Sequence, residues 1–168
     1  YRIYPNGTLA AQLLGFVNEE GKGVYGIEQA LNGDLKGKSG QLKAVTDVYG
    51  VPLAANRDNV LIAAEPGKDA ILTIDMAMQK QLETMLQAGL ERAKSASGSA
   101  LIRDPRSGAI KAMANFPTYD PANYGTVEDA GVFNNAAVSN SLEVGSIMKP
   151  LTAAAALNSG AVKKDTSY

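Results

Sequence analysis

A proline at position 150 restricts where the last helix of the chain can begin. A proline ring clashes with the carbonyl group four residues earlier, so proline belongs in the first turn of a helix. The helix that Gly160 ends is therefore predicted to begin at about Ser146 or Ile147. This start would place Ser146 at the positive end of the helix dipole, where unpaired N–H groups stabilise an alkoxide or an oxyanion.

Lys149 follows Ser146 by three residues, so the two side chains would lie on one face of the helix. A lysine that is desolvated, or that lies beside another cation, can take the proton of a serine hydroxyl. A serine helix cap beside a solvated lysine would have the same spacing, so the pair alone is weak evidence. Gly145 and Pro150 favour a nucleophilic serine because they locate it at the start of the helix.

The chain has no cysteine and no histidine, and these absences exclude several kinds of site. Cysteine nucleophiles, disulfide bonds and Cys/His zinc sites are impossible, and so is a Ser-His-Asp triad. Sixteen basic and 17 acidic residues are scattered along the chain, without the basic patch that a nucleic-acid partner would require. No apolar run reaches the length of about 18 residues that a transmembrane helix needs. Because the sequence opens at Tyr1 without an initiator methionine, we expect it to be a segment of a longer protein.

The residue pattern predicts an α+β chain with two regions, residues 1–66 and 67–168, separated at the turn of Glu65, Pro66 and Gly67. The first region is rich in glycine and short elements. Its predicted elements are an apolar stretch at 9–17, a short helix at 25–31 that stops near Gly33, and strands at 41–49 and 60–64.

The second region has firmer signals. Asp75 is a good N-cap for a long helix that ends near residues 95–98. Its predicted apolar face consists of Met78, Leu82, Met85, Leu86 and Leu90. The other predicted elements are a strand at 70–74, a hairpin of strands 99–103 and 109–114 around the turn 104–108, a long polar loop at 115–140, and the final helix.

Six stretches of the sequence resemble class B penicillin-binding proteins, and they occur in the order of that family. They are residues 2–7 with 10–11 and 14–15, 26–28 with 35–37, 72–75 with Gln79, 104–108 with 112–114, 117–124, and 143–150. The last stretch is similar to the family's active-site segment E-P-G-S-T-x-K-P. Val144 and Ile147 stand here where the family usually has proline and threonine.

The resemblance implies a fold and an activity. Residues 1–66 would form a pedestal segment of short strands and helices. Residues 67–168 would be part of a penicillin-binding, serine β-lactamase-like antiparallel sheet with flanking helices. The implied activity is that of a peptidoglycan D,D-transpeptidase, with Ser146 as the acylated nucleophile, Lys149 as its base and the Ser146 N–H as half of the oxyanion hole. No cofactor or metal is implied.

The family completes its site with the motifs S-x-N and K-[TS]-G, which normally lie well downstream of the serine. Neither follows Ser146 within these residues. We therefore expect this piece to be inactive alone. We also expect the unpaired edge of its hairpin to make it swap, dimerise or aggregate unless partner chain covers that edge.

The implied partners are peptidoglycan stem peptides, β-lactam antibiotics and other proteins of cell-wall synthesis or division. The implied location is the extracytoplasmic face of the bacterial cell membrane, with an anchor that is not in this chain. Two alternatives stay open. One is a β-lactamase or β-lactam sensor, which shares the S-x-x-K motif. The other is a non-catalytic docking or scaffold module, in which residues 1–66 bind partners or act as a spacer.

Overall fold

The computed structural model describes residues 2–43, 49 and 60–167 of the chain. In these residues short helices are mixed with antiparallel strand pairs, which confirms the predicted α+β class. No helix in this described part has the length and apolar character that crossing a lipid bilayer requires.

The first region consists of short elements, as predicted. They are α1 (Ala11–Leu14), β1 (Phe16–Val17), β2 (Gly23–Val24), α2 (Gly26–Ala30), α3 (Asn32–Leu35), β3 (Gln41–Lys43) and β4 (Val60–Ile62). β1 pairs with β2 and β3 pairs with β4, both antiparallel. The helix predicted at 25–31 is confirmed, but α3 follows it at once and includes Gly33. The strand predicted at 41–49 is present at its first three residues, while residues 44–48 lie outside the described part.

The second region contains the longest helix and the longest strands. Its elements are α4 (Met76–Ala93), β5 (Gly98–Arg103), β6 (Ile110–Phe116), 3-10 helices at Pro121–Thr126 and Ala130–Phe133, α5 (Ala136–Ser139), a 3-10 turn at Gly145–Ile147, and α6 (Met148–Asn158). The predicted long helix, the hairpin and the last helix are confirmed.

The strand predicted at residues 70–74 is wrong. Ile71 is almost fully exposed, so the apolar run does not face a core. Two single hydrogen bonds, and not a ladder of backbone hydrogen bonds, attach this segment to the start of β6. The Thr73 hydroxyl donates to the Ile110 carbonyl at 2.7 Å, and the Asp75 N–H donates to the Lys111 carbonyl at 2.9 Å.

Asp75 caps α4 as predicted, because its carboxylate accepts a hydrogen bond from the Met78 N–H at 2.9 Å. The predicted apolar face of this helix is only partly right. Leu86 and Leu90 lie over Gly98, where β5 begins and where an added side chain would clash with Leu90. Met78 and Met85 are exposed, and fully buried Gln79 lies on the packed face. A polar residue at that position cannot be found from apolar spacing.

Gln79 holds α4 against β6 with two hydrogen bonds to one residue. Its side-chain N–H donates to the Met113 carbonyl and its side-chain oxygen accepts from the Met113 N–H, both at 2.8 Å. The same amide donates to the Glu83 carboxylate at 2.7 Å. That carboxylate also accepts from the Ala10 N–H at 2.8 Å. One buried side chain therefore connects the helix, the strand and, through Glu83, the first region.

The hairpin turn is built around Asp104. Its carboxylate accepts hydrogen bonds from the Arg106 N–H and the Ser107 hydroxyl, and these bonds hold the pKa of the Asp104 carboxyl below its usual range. Gly108 completes the turn in the left-handed conformation, with φ of 76°. β5 and β6 then pair antiparallel, with Ala100 opposite Ala114.

The prediction of a polar loop at residues 115–140 is wrong, because this segment contains three short helices and part of the core. Tyr119 and Phe133 are buried there against Phe16 of β1. The Phe16 ring lies 5.0 Å from that of Phe133 and stacks on that of Tyr124 at 4.2 Å. The Tyr119 hydroxyl donates to the Ala11 carbonyl at 3.0 Å. This aromatic cluster (Phe16, Tyr119, Tyr124 and Phe133) therefore joins residues from both predicted regions.

Replacing Gln79 by alanine should lower the free energy of unfolding by about 3 kcal/mol. The change leaves both backbone groups of Met113 without their partner and opens a cavity. Gln87→Ala is the matched control, since Gln87 lies on the exposed side of the same helix, and it should cost less than about 0.5 kcal/mol. Chemical denaturation measures both values. Equal losses would contradict a special role for Gln79.

Tyr119→Phe should change how stability depends on alkaline pH. Burial raises the pKa of the Tyr119 phenol above its usual value of 10.0. Above that pH the unfolded tyrosine loses its proton and the folded one keeps it, so the stability of the parent protein falls by up to about 1.4 kcal/mol per pH unit from this group.

The phenylalanine variant lacks this loss. At pH 7 it should be about 1 kcal/mol less stable than the parent, because the Ala11 carbonyl loses its donor. The difference should shrink between pH 10 and 11 in urea denaturation curves. A difference that stays constant over this pH range would show that Tyr119 ionises as an exposed tyrosine does.

Candidate active site

Ser146 lies in a 3-10 turn that leads directly into α6. The turn spans Gly145–Ile147 and is closed by a hydrogen bond from the Ile147 N–H to the Val144 carbonyl at 3.1 Å. α6 itself begins at Met148, slightly later than the predicted start. Pro150 is its third residue and lies in the first turn, where the missing N–H breaks no helical hydrogen bond.

The residue before the serine needs to be glycine because of its backbone conformation. Gly145 has φ of +50°, in the left-handed region. Apart from Gly145 and its two neighbours, no atom of the described residues lies within 4 Å of the place where a Cβ would be, so space is not the constraint. Val144, which precedes it, has φ of −72°, within the range that a proline ring imposes. The backbone here therefore fits the proline of the resembled motif, although the residue is valine.

The far end of α6 ends as the sequence predicts. Gly160 adopts φ of 73°, its N–H donates to the Leu157 carbonyl at 3.2 Å, and the Ala161 N–H donates to the Ala156 carbonyl at 3.0 Å. This is the hydrogen-bond pattern of a Schellman motif, with glycine at C′. The helix that carries Lys149 is therefore bounded at both ends by local sequence signals.

The structure places Ser146 and Lys149 at the same helix start, and both side chains are exposed. Within the described residues no carboxylate forms an ion pair with Lys149. The described residues also contain no cluster of three or more acidic side chains that could hold a metal ion. The surroundings that would take a lysine ammonium out of water are not supplied by this part of the chain.

The 3-10 turn and α6 also expose apolar side chains. Ile147 and Leu151 are 66% and 59% exposed, and Met148 and Leu157 are about half exposed. Residues 140–155 are exposed without interruption. No core in the described residues covers this helix.

That preceding chain is tied to the hairpin by two asparagines that the sequence analysis did not single out. Asn115, a buried residue of β6, donates a hydrogen bond from its amide to the Asn135 side-chain oxygen at 3.0 Å. The Asn115 side-chain oxygen accepts from the Ala137 N–H at 2.9 Å and from the Ser99 hydroxyl at 2.8 Å. The only sequence signal for this network is a polar residue inside an otherwise mostly apolar strand.

Comparison with known proteins gives consistent matches. Residues 98–168 match the family model described as the penicillin binding protein transpeptidase domain. The chain is 36% identical over 159 residues to the probable peptidoglycan D,D-transpeptidase PbpC of Pseudomonas aeruginosa, covering 95% of this chain and 28% of that protein. It is 31% identical over 166 residues to the peptidoglycan D,D-transpeptidase FtsI of Escherichia coli K12, covering 98% of this chain and 27% of that protein.

Solved structures agree with these relatives. A peptidoglycan synthetase from Bifidobacterium adolescentis superposes with a TM-score of 0.79 at 34% identity, over 100% of this chain and 30% of the other. Penicillin-binding protein 2X from Streptococcus thermophilus gives a TM-score of 0.75 at 29% identity, over 99% of this chain and 26% of the other. The chain thus spans less than a third of the length of each of these four proteins.

Proposed function

We propose that the protein containing this chain cross-links peptidoglycan stem peptides through an acyl-serine intermediate, because the chain belongs to the penicillin-binding protein transpeptidase family. The observation that carries the proposal is the position of Ser146. It follows the left-handed Gly145, starts the helix that holds Lys149, and lies within the residues that match the family's transpeptidase domain.

The proposed reaction has two acyl transfers. The Ser146 Oγ attacks the carbonyl carbon between the two D-alanines of a stem peptide, and the neutral Lys149 amine takes the hydroxyl proton. The peptide C–N bond breaks, the terminal D-alanine leaves as an amine that takes this proton, and an ester on Ser146 remains. An amine of a second stem peptide then attacks the ester, forms the cross-link and frees the serine. The Ser146 N–H, at the helix start, would donate to the developing oxyanion.

A β-lactam presents a similar carbonyl and would stop the reaction at the acyl-serine stage. Its leaving nitrogen stays attached to the acyl group through the opened ring, so no fragment departs. We therefore propose β-lactams as inhibitors and as chemical probes of Ser146.

Lys149 needs surroundings that the described residues lack. A lysine becomes a general base when it is buried or lies beside another cation, and the Lys149 side chain is exposed here. The exposed apolar residues of α6 also require a cover that these residues do not provide. We propose that further chain of the same protein supplies both, and that this chain alone is inactive.

We also propose a role for each of the two predicted regions. Residues 67–168 would be the first part of the transpeptidase domain, and residues 1–66 a pedestal that docks other cell-wall synthesis or division proteins. The site of action would be the extracytoplasmic face of the bacterial membrane, where peptidoglycan is assembled.

Replacing Ser146 by alanine in the complete protein should abolish covalent labelling by a fluorescent penicillin, because the attacking oxygen is removed. Lys149→Ala should slow labelling by about 100-fold or more, the usual contribution of a general base. Ser141→Ala is the matched control, since it is an exposed serine five residues away, and it should label at the parent rate. Labelling is followed by gel fluorescence over time, with the label located by peptide mass spectrometry.

The outcomes separate this proposal from its alternatives. Labelling that survives Ser146→Ala would refute Ser146 as the nucleophile. Labelling followed by rapid hydrolysis of the acyl-serine would indicate a β-lactamase. Bacteria that grow normally with Ser146→Ala as their only copy would favour a scaffold. Rapid stoichiometric labelling of the 168-residue chain alone would contradict its inactivity.

The free edge of β5 suggests that the isolated chain self-associates. β5 and β6 pair only with each other among the described residues. Gln79 covers the outer edge of β6 at Met113, where it binds both backbone groups. Leu101 lies opposite Met113 in the register. The N–H and C=O of Met113 point away from β5, so those of Leu101 point away from β6. The exposed side chain of Leu101 adds apolar surface to this open edge.

Leu101→Pro should therefore shift the isolated chain toward monomer in light scattering at high protein concentration. Proline removes the outward N–H and leaves the β5–β6 hydrogen bonds intact. Leu101→Thr is the control, because it reduces apolar surface but keeps the N–H, and it should still associate. A parent chain that is monomeric under these conditions would refute edge pairing.

A further inference from the structure

The segment that leads to Ser146 is held by a clamp of side-chain hydrogen bonds, which we call the asparagine clamp (Asn115, Asn135 and the Ala137 N–H). The Asn115 amide spans two elements, since it lies on β6 and contacts both the residue before α5 and the first turn of α5. Asn115 is buried and its two partners are half-buried, so these bonds are partly shielded from competing water. α5 is thereby attached to the hairpin at its N-terminal end.

The geometry of Asn135 indicates that its side chain serves the clamp. Asn135 is the N-cap residue of α5, and an asparagine there usually accepts a hydrogen bond from the helix's own first turn. Its side chain makes no such capping bond. It accepts from Asn115 instead, and its own amide contacts the Met113 sulfur at 3.0 Å. The helix start thus loses a local cap and gains a tertiary contact.

Beyond α5, the described residues show no comparable attachment. Five residues connect Ser139 to Gly145, and every residue from 140 to 155 is exposed in the described structure. Among the described residues, the clamp is therefore the nearest attachment to a buried side chain on the N-terminal side of Ser146. The position of α5 relative to β6 therefore limits where this short connection can place Ser146.

We propose that Asn115 and Asn135 are positioning residues for Ser146, so that the hydrogen bond between them sets the rate of acylation. The proposal rests on the proposed role of Ser146 as nucleophile. Neither asparagine touches the reacting atoms. Loss of their bond lets the start of α5 shift, and displacing a nucleophile by about 1 Å can cost up to about 100-fold in rate.

The test measures acylation of the complete protein by a chromogenic β-lactam in stopped flow, which separates the dissociation constant from the acylation rate constant. Asn135→Leu keeps the volume and removes the acceptor, and it should lower the acylation rate constant about tenfold with the dissociation constant within about twofold of the parent. Asn135→Asp keeps the acceptor oxygen and should restore the rate to within about threefold of the parent. Asn135→Ala repeats the first test if the leucine variant does not fold.

Ser99→Ala is the matched control. It removes one hydrogen bond to the same Asn115 oxygen but leaves the contacts to Asn135 and Ala137 in place, so it should acylate at the parent rate. Melting temperatures within about 5 °C of the parent show that each variant is folded. A slow Asn135→Leu with a restored Asn135→Asp supports the proposal. Parent rates in Asn135→Leu, or equal slowing in Asn135→Asp or Ser99→Ala, would overturn it.

The same experiment distinguishes failure of this inference from failure of the proposed function. Ser146→Ala is measured in parallel. If acylation persists in that variant, Ser146 is not the nucleophile and the function is refuted. If acylation is lost there but Asn135→Leu reacts at the parent rate, the function stands and the clamp has no role in positioning the serine.

Discussion

The double hydrogen bond between Gln79 and Met113 is the contact on which the second region depends. It satisfies both outward-facing backbone groups of Met113, so α4 covers the edge of β6 at this residue, where a neighbouring strand could otherwise pair. Because Gln79 also donates to Glu83, and Glu83 accepts from the Ala10 N–H, the same buried network connects the first region to the hairpin. An unmade bond at such a site costs more than an ordinary hydrogen bond contributes.

The aromatic cluster supplies the apolar part of this connection. Phe16 from β1 packs against Tyr119, Tyr124 and Phe133, which come from the segment between β6 and α5. This segment then reaches the asparagine clamp, and five residues separate the end of α5 from the turn that carries Ser146. Three kinds of contact therefore connect the first region with the segment that leads to the candidate nucleophile: a buried amide, an aromatic cluster and a pair of asparagines.

The sequence predicts well the elements whose ends are defined by local chemistry. Asp75 begins α4, the Asp104–Gly108 turn defines the hairpin, and Pro150 and Gly160 bound α6. Predictions from apolar runs were less accurate. Residues 70–74 form no strand, and the segment after β6, which looks like a polar loop, contains part of the core. Apolar content alone does not show which residues meet across long separations in sequence.

By itself the sequence determined the α+β class, the family resemblance and the helix start at which Ser146 and Lys149 lie together. The helix start follows from steric rules for proline and glycine, which act within a few residues. Only the tertiary structure revealed the partners of Gln79, Phe16 and Asn115. Those partners lie tens of residues away, and a glutamine or asparagine in a sequence looks like any other polar residue until folding brings its hydrogen-bond partner to it.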